Sequence, residues 1–292
     1  MSAKKQSVPV FILAGGLGTR ISEETHLRPK PMIEIGDIPI LVHLMRWYYA
    51  HGFDDFVVLG GYRCWELKSY FLNYEFRQNH MAIDHRAAAD SKPTIIPAAK
   101  PRGGSPLSSG EWKQPSELQE RWRVRVIDTG VDCMTGGRVA RAFDLLEAQG
   151  EKFEDFALTY GDGLSDVDLS LELEYHRKHG KLGTILGVHP MARFGELDIR
   201  DDDTVESFLE KPQSRQGLIN GGFFFFKREF RKYLSDKGDC ILEKAPLSNL
   251  ATDRGLRVFK HQGFWQPMDT LRDKVQLQGM WDSGNAPWVA KR

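Results

Sequence analysis

Gly15-Gly16-Leu17-Gly18-Thr19-Arg20, with Lys30-Pro31-Met32 ten residues beyond, sets bare backbone beside two cations. Glycines let amide N–H groups approach an anion with no Cβ in the way. Arg20 and Lys30 add positive charge where a polyphosphate carries its negative charge. The pattern points to a bound nucleotide. Two commoner glycine loops do not fit it. A P-loop closes on Gly-Lys-Ser/Thr, which is missing here. A dinucleotide fingerprint wants a third glycine or alanine where Ile21 stands, and an acid ending the second strand where Gly60-Gly61 stands. For this segment alone, a plain glycine turn with surface charges is the competing reading.

Four further segments bear chemistry. Tyr160-Gly161-Asp162-Gly163 follows an apolar run, Phe156 to Tyr160, and so puts a carboxylate at the carboxyl end of a strand, the edge where open parallel sheets bind ligands. The plain reading of Asp162 is a turn residue. Asp269, ahead of Leu271, reads equally as a helix N-terminal charge. If the two acids converge, they suit Mg²⁺, which takes one or two carboxylates with phosphate and water oxygens. Glu210-Lys211-Pro212 offers a cation for a second phosphate, and Asn220-Gly221-Gly222 an amide and bare backbone for a polyol. The nine histidines lack metal-ligand spacing, and His43, His51, His80 and His85 read as structural. No Ser/His/Asp or Cys/His arrangement supports covalent catalysis.

The elements that must position these residues alternate between buried strands and amphipathic helices. Val8 to Ala14, Phe56 to Leu59, Phe156 to Tyr160 and Thr184 to His189 read as strands. Trp122, Val124 and Val126 alternate with Arg121, Arg123 and Arg125 as a half-exposed strand. Ile40 to Tyr48, Trp65 to Tyr74, Ser170 to His179 and Thr270 to Ser283 carry helical spacing, and Phe223 to Phe226 is an aromatic run buried on both sides. The alternation predicts an α/β fold, a Rossmann-like, mostly parallel mixed sheet with helices on both faces. We expect a single domain over 8–288 with flexible ends at 1–7 and 289–292. Ala87 to Glu120, rich in Ala, Pro, Ser and Gly, is expected to be a mobile insertion.

The chain has 292 residues, 41% hydrophobic, and its 40 basic and 40 acidic side chains cancel. That balance gives no global field for nucleic acid or anionic membrane. Three scattered cysteines without CxxC spacing suit a reducing cytoplasm, and no apolar run reaches membrane-spanning length. A soluble cytoplasmic protein is expected.

The ordered set GGLGTR, PKPM, TGGR (Thr135 to Arg138), YGDG, EKP, NGGF and FWQPMDTLRDK resembles the sugar-1-phosphate nucleotidyltransferases, whose fold is glycosyltransferase-A-like. Ser22 to Thr25, Met134 to Arg138 and the FWQPMDT block resemble, more narrowly, the bacterial cytidylyl-transferring branch that acts on glucose 1-phosphate. The likeness runs from about Val10 to Trp288 and fades over Ala87 to Glu120. It implies that Leu13, Ala14, Gly15, Gly16, Gly18, Thr19 and Arg20 cradle CTP, with Arg138 and Gly161 beside it. Arg20 would bind departing pyrophosphate, Lys30 the reacting phosphate, and Asp162 and Asp269 a Mg²⁺ ion. Lys211 would grip a sugar 1-phosphate, with Asn220 and Gly221 near its hydroxyls. Cys133 stands where that branch has serine, near the base or ribose, and a thiol is the weaker hydrogen-bonding group. The resemblance also implies a homo-oligomer. Transfer to a different phosphorylated acceptor, or nucleotide binding without turnover, remain the alternatives.

Overall fold

The computed structural model describes residues 8–18, 21, 28–82, 94–96, 120–190, 196–199, 205–209 and 217–289. Nine strands frame the site: β1 (Val10–Leu13), β2 (Asp55–Gly60), β3 (Arg123–Asp128), β4 (Asp155–Tyr160), β5 (Gly163–Ser165), β6 (Gly183–Val188), β7 (Ile219–Lys227), β8 (Leu256–His261) and β9 (Trp265–Pro267). The helices that flank them are α1 (Ile40–Ala50), α2 (Cys64–Leu72), α3 (Thr135–Ala148), α4 (Leu169–His179), α5 (Ala245–Thr252) and α6 (Leu271–Asp282).

Seven strands form one sheet in the order β8-β6-β7-β4-β1-β2-β3. β1 runs parallel to β2 and β4, β2 parallel to β3 and β6 parallel to β8, while β7 lies antiparallel to both β4 and β6. The expected mostly parallel mixed sheet is therefore the fold. The chain leaves β1 toward β2 and β3 on one side and returns to β4 on the other. That reversal opens a crevice at the carboxyl ends of β1 and β4, where doubly wound sheets bind ligands.

At its centre the sheet is buried on both faces, and β1 there is apolar at every position, whereas the edge strands β3 and β8 carry charged residues on an exposed side. Val10 and Ile12 pack into a core with α1, while Phe11 and Leu13 face the core under α3. The aromatic run divides the same way: Phe223 and Phe225 enter the first core, Phe224 and Phe226 the second. All four are almost fully buried, each contributing on the order of 2–3 kcal/mol in apolar burial.

Local chemistry sets the helix ends. Asp168 caps α4 by accepting from the amides of Ser170 and Leu171, and Gly180 ends it at φ +66°. Thr270 and Asp273 form a reciprocal capping box on α6. The helix expected over Trp65 to Tyr74 breaks at Asn73 into α2 and a short second helix, Tyr74–Gln78. Most of the segment from Ala87 to Glu120 lies outside the described residues. Within that segment Thr94–Ile96 pairs with His80–Ala82, and Glu120 ion-pairs with Arg46 at 2.6 Å. Among the described residues no helix is long and apolar enough to cross a membrane.

Candidate active site

β1 empties into the glycine loop. Ala14 N still donates to Leu59 O at 3.0 Å, the last sheet-like bond. Beyond it the amides of Gly15, Gly16 and Leu17 donate to nothing among the described residues. Gly18 takes φ +64° and its carbonyl accepts from Ile21 N at 3.1 Å, turning the chain back. Consecutive unpaired amides at a strand end form an anion-binding concavity. Thr19 and Arg20 lie outside the described residues.

The loop is braced from beneath. Arg138, on the first turn of α3, is 4% exposed. Its Nη2 donates to Gly15 O at 2.9 Å and Val131 O at 3.2 Å. Its Nη1 reaches Gly60 O at 2.9 Å, Gly130 O at 2.8 Å and Thr129 Oγ1 at 2.6 Å. A Cβ on Gly15 or Gly61 would stand 2.2 Å from that guanidinium, so a side chain at either position would displace the brace. Burial draws the Arg138 pKa down from its ordinary value, yet a guanidinium stays charged at neutral pH. The result is a buried cation directly under the loop, its hydrogen bonds running to protein oxygens.

A second segment enters the crevice from the side. Pro29 and Pro31 flank Lys30 in a 3₁₀ turn closed by Met32 N to Pro29 O at 2.8 Å. The turn packs on Gly161, whose Cβ would lie 3.0 Å from Leu13 O and 3.2 Å from the Pro31 ring. Gly161 N also donates to Leu13 O at 2.9 Å, which joins the ends of β4 and β1.

The two acids meet because a ribbon brings them together. β5 and β9 pair antiparallel, with Gly163 opposite Pro267, and Met268 N donates to Asp162 O at 2.9 Å. Asp269 follows, its amide held by Asp273 Oδ2 at 3.0 Å as part of the α6 cap. Lys30 Nζ then lies 2.6 Å from Asp162 Oδ2 and 2.5 Å from Asp269 Oδ1. Burial pulls the Lys30 pKa down, but the two carboxylates outweigh it and the net shift is upward. Lys30 is an ammonium throughout the physiological range.

Two carboxylates already sharing one cation are the hard oxygen donors that Mg²⁺ takes. Among the described residues no three His, Cys, Asp or Glu side chains cluster. A metal held here would draw its other ligands from phosphate and water.

On the acceptor side, Asn220 and Gly221 sit where β7 bulges. Ile185 of β6 faces Phe224, but Gly187 faces Asn220, so β7 carries two extra residues. Gly222 takes φ +77°, and a Cβ there would strike the Tyr160 ring at 2.4 Å. Trp265 Nε1 fixes Gly221 O at 2.6 Å, and Gly222 N donates to Asn220 Oδ1 at 2.8 Å. Lys211 lies outside the described residues. Cys133 is buried, its thiol reaching Met134 O at 3.7 Å and its pKa raised by that burial. The brace made by Arg138 is not legible in the motifs; paired glycines at 15 and 61 are its one sequence sign.

A switch-point crevice with unpaired loop amides, an enclosed lysine and converging acids defines an α/β enzyme that handles nucleoside polyphosphates. Residues 9–99 and 117–265 match the family model for nucleotidyl transferases, and the chain belongs to that family. It is 41% identical to a glucose-1-phosphate cytidylyltransferase of Salmonella typhimurium over 277 residues, covering 95% of this chain and 97% of that one. The Salmonella typhi enzyme of the same name is 40% identical over the same shares. The fold is similar to that of HddC from Yersinia pseudotuberculosis complexed with GMP-PN (TM-score 0.58, 21% identity, 94% of this chain and 99% of that one).

Proposed function

We propose that this protein transfers the cytidylyl group of CTP to α-D-glucose 1-phosphate in the cytoplasm. Pyrophosphate leaves, and CDP-glucose results for surface polysaccharide sugars. The observation that carries this reading is the meeting of Lys30, Asp162 and Asp269 at the end of β4, in a chain whose relatives above are named for that reaction.

The reaction is an in-line displacement at phosphorus. An oxygen of the sugar 1-phosphate attacks the α-phosphorus, and the bond to the bridging oxygen of the β-phosphate breaks. No protein nucleophile is required, so the chain's work is positioning and charge stabilisation. The unpaired amides of Gly15, Gly16 and Leu17 would donate to phosphate oxygens. Lys30, fixed as an ammonium by two acids, would oppose negative charge at the reacting phosphate. Asp162 and Asp269 would hold Mg²⁺, which when bound screens the charge of the triphosphate. Arg20 would receive the pyrophosphate and Lys211 the sugar phosphate, with Asn220 against the sugar hydroxyls.

Pyrophosphate release from a matrix of four nucleoside triphosphates against several sugar phosphates tests the reading. Signal from CTP with glucose 1-phosphate is the expected result. CTP active only with another phosphorylated acceptor would replace the substrate, and silence throughout would contradict the enzymatic reading.

A further inference from the structure

Four polar side chains outside the carboxylate cluster form one directional chain across the crevice. Thr135, the first residue of α3, accepts from Leu242 N at 2.9 Å and donates from Oγ1 to Glu243 Oε2 at 2.7 Å. Tyr160, the last residue of β4, donates its hydroxyl to the other oxygen, Glu243 Oε1, at 2.5 Å. The Tyr160 oxygen in turn faces Asn220 Nδ2 at 3.5 Å, a long contact, while Asn220 Oδ1 is held by Gly222 N. Each donor and acceptor in this chain is of a fixed kind except the two hydroxyls. The ionised Glu243, which can only accept, therefore sets the direction of both.

The ends of the chain are what give it meaning. Thr135 opens the helix that carries Arg138, three residues on, beneath the nucleotide loop. Tyr160 stands two residues before Asp162, and its ring supports the bulge that presents Asn220. Glu243 lies 83 residues from Tyr160 and 108 from Thr135, so this one side chain ties three separate segments together. It is exposed, and Tyr160 is half-buried; the arrangement is at the crevice mouth rather than in a core.

We infer that Glu243 is a positioning residue for the acceptor: through Tyr160 it fixes the Asn220 bulge against the end of β4, and so sets where the sugar phosphate lies relative to the nucleotide. This rests on the reading of function given above. Tyr160 takes the proton orientation that Glu243 imposes, and its lone pair is turned to the Asn220 amide. A glutamine at 243 retains the shape but has a single acceptor oxygen and no charge, so only one of the two hydroxyls keeps an acceptor and neither keeps a charge-assisted bond.

The test is steady-state pyrophosphate release by Glu243→Gln, Tyr160→Phe and the double variant, with the acceptor that the wild type uses. Each single variant is expected to lose about tenfold in kcat/KM for the sugar phosphate, the scale of one charge-assisted hydrogen bond. The KM for the triphosphate should stay within about twofold, the melting temperature should be unchanged, and the double variant should be no worse than either single one. Thr135→Val, which removes the other donor to Glu243 together with the acceptor for Leu242 N, should give a smaller loss in the same parameter. Variants matching the wild type would overturn the inference. So would parallel losses for both substrates together with a lowered melting temperature, which mark a structural role. A silent wild type would instead overturn the functional reading itself.

Discussion

Arg138 Nη2 donates to the carbonyl oxygen of Gly15 at 2.9 Å, from a helix position 123 residues away. The bond turns the Gly15 carbonyl inward and so leaves the following amides facing the crevice. Without the guanidinium, two buried charge-assisted bonds, to Gly15 O and Gly60 O, are lost, leaving Tyr62 N and Thr129 as the remaining donors there, and the partly exposed carbonyls of Gly130 and Val131 lose theirs. Each buried bond to a charged donor contributes about 1.5–3 kcal/mol. Arg138→Met is therefore expected to lower unfolding free energy by at least about 3 kcal/mol in urea and to weaken triphosphate binding. Arg138→Lys should recover only part of this, because an ammonium has three donors and no planar fork. A loss under about 1 kcal/mol for the methionine variant would contradict the brace.

Glu172 of α4 is fully buried, and neither carboxyl oxygen has a hydrogen-bond partner among the described residues. Burial pushes its pKa up from 4.5 to about 8. Between those values the folded protein holds a proton that the unfolded chain has released. Stability from this group is thus complete below about pH 4.5 and is lost as pH rises to about 8, at roughly 1.4 kcal/mol per pH unit. Glu172→Gln should remove that slope and leave the variant more stable than wild type at pH 8. Denaturant midpoints measured between pH 5 and 8 check this; parallel profiles for the two proteins would refute it.

The fold was readable where burial is uniform. Phe223 to Phe226 and Val10 to Leu13 are apolar at consecutive positions because both sheet faces are covered, and an unbroken run says so directly. The glycine loop was readable too, since bare backbone after such a strand has few other uses. The meeting of Asp162 with Asp269 was not, because a ribbon of three residues on each side makes it, with Gly163 opposite Pro267. So short a pairing leaves no periodicity. The partners of Arg138 were equally hidden: its spacing on α3 places the side chain on the buried face but does not say which carbonyls it reaches. Glu243 reads in sequence as one more exposed acid, and only the fold brings Tyr160 and Thr135 to it.

The proposed function requires Asp162 and Asp269 to act together in turnover and not merely as partners of Lys30. Its most direct test is the rate of pyrophosphate release by Asp162→Asn and Asp269→Asn with CTP, glucose 1-phosphate and saturating Mg²⁺. Each amide keeps the size of the side chain and can still accept from Lys30, so the fold should persist in circular dichroism. At least about a hundredfold fall in kcat is expected for each, the scale of one transition-state electrostatic contact. Turnover near the wild-type rate by either folded variant would contradict it.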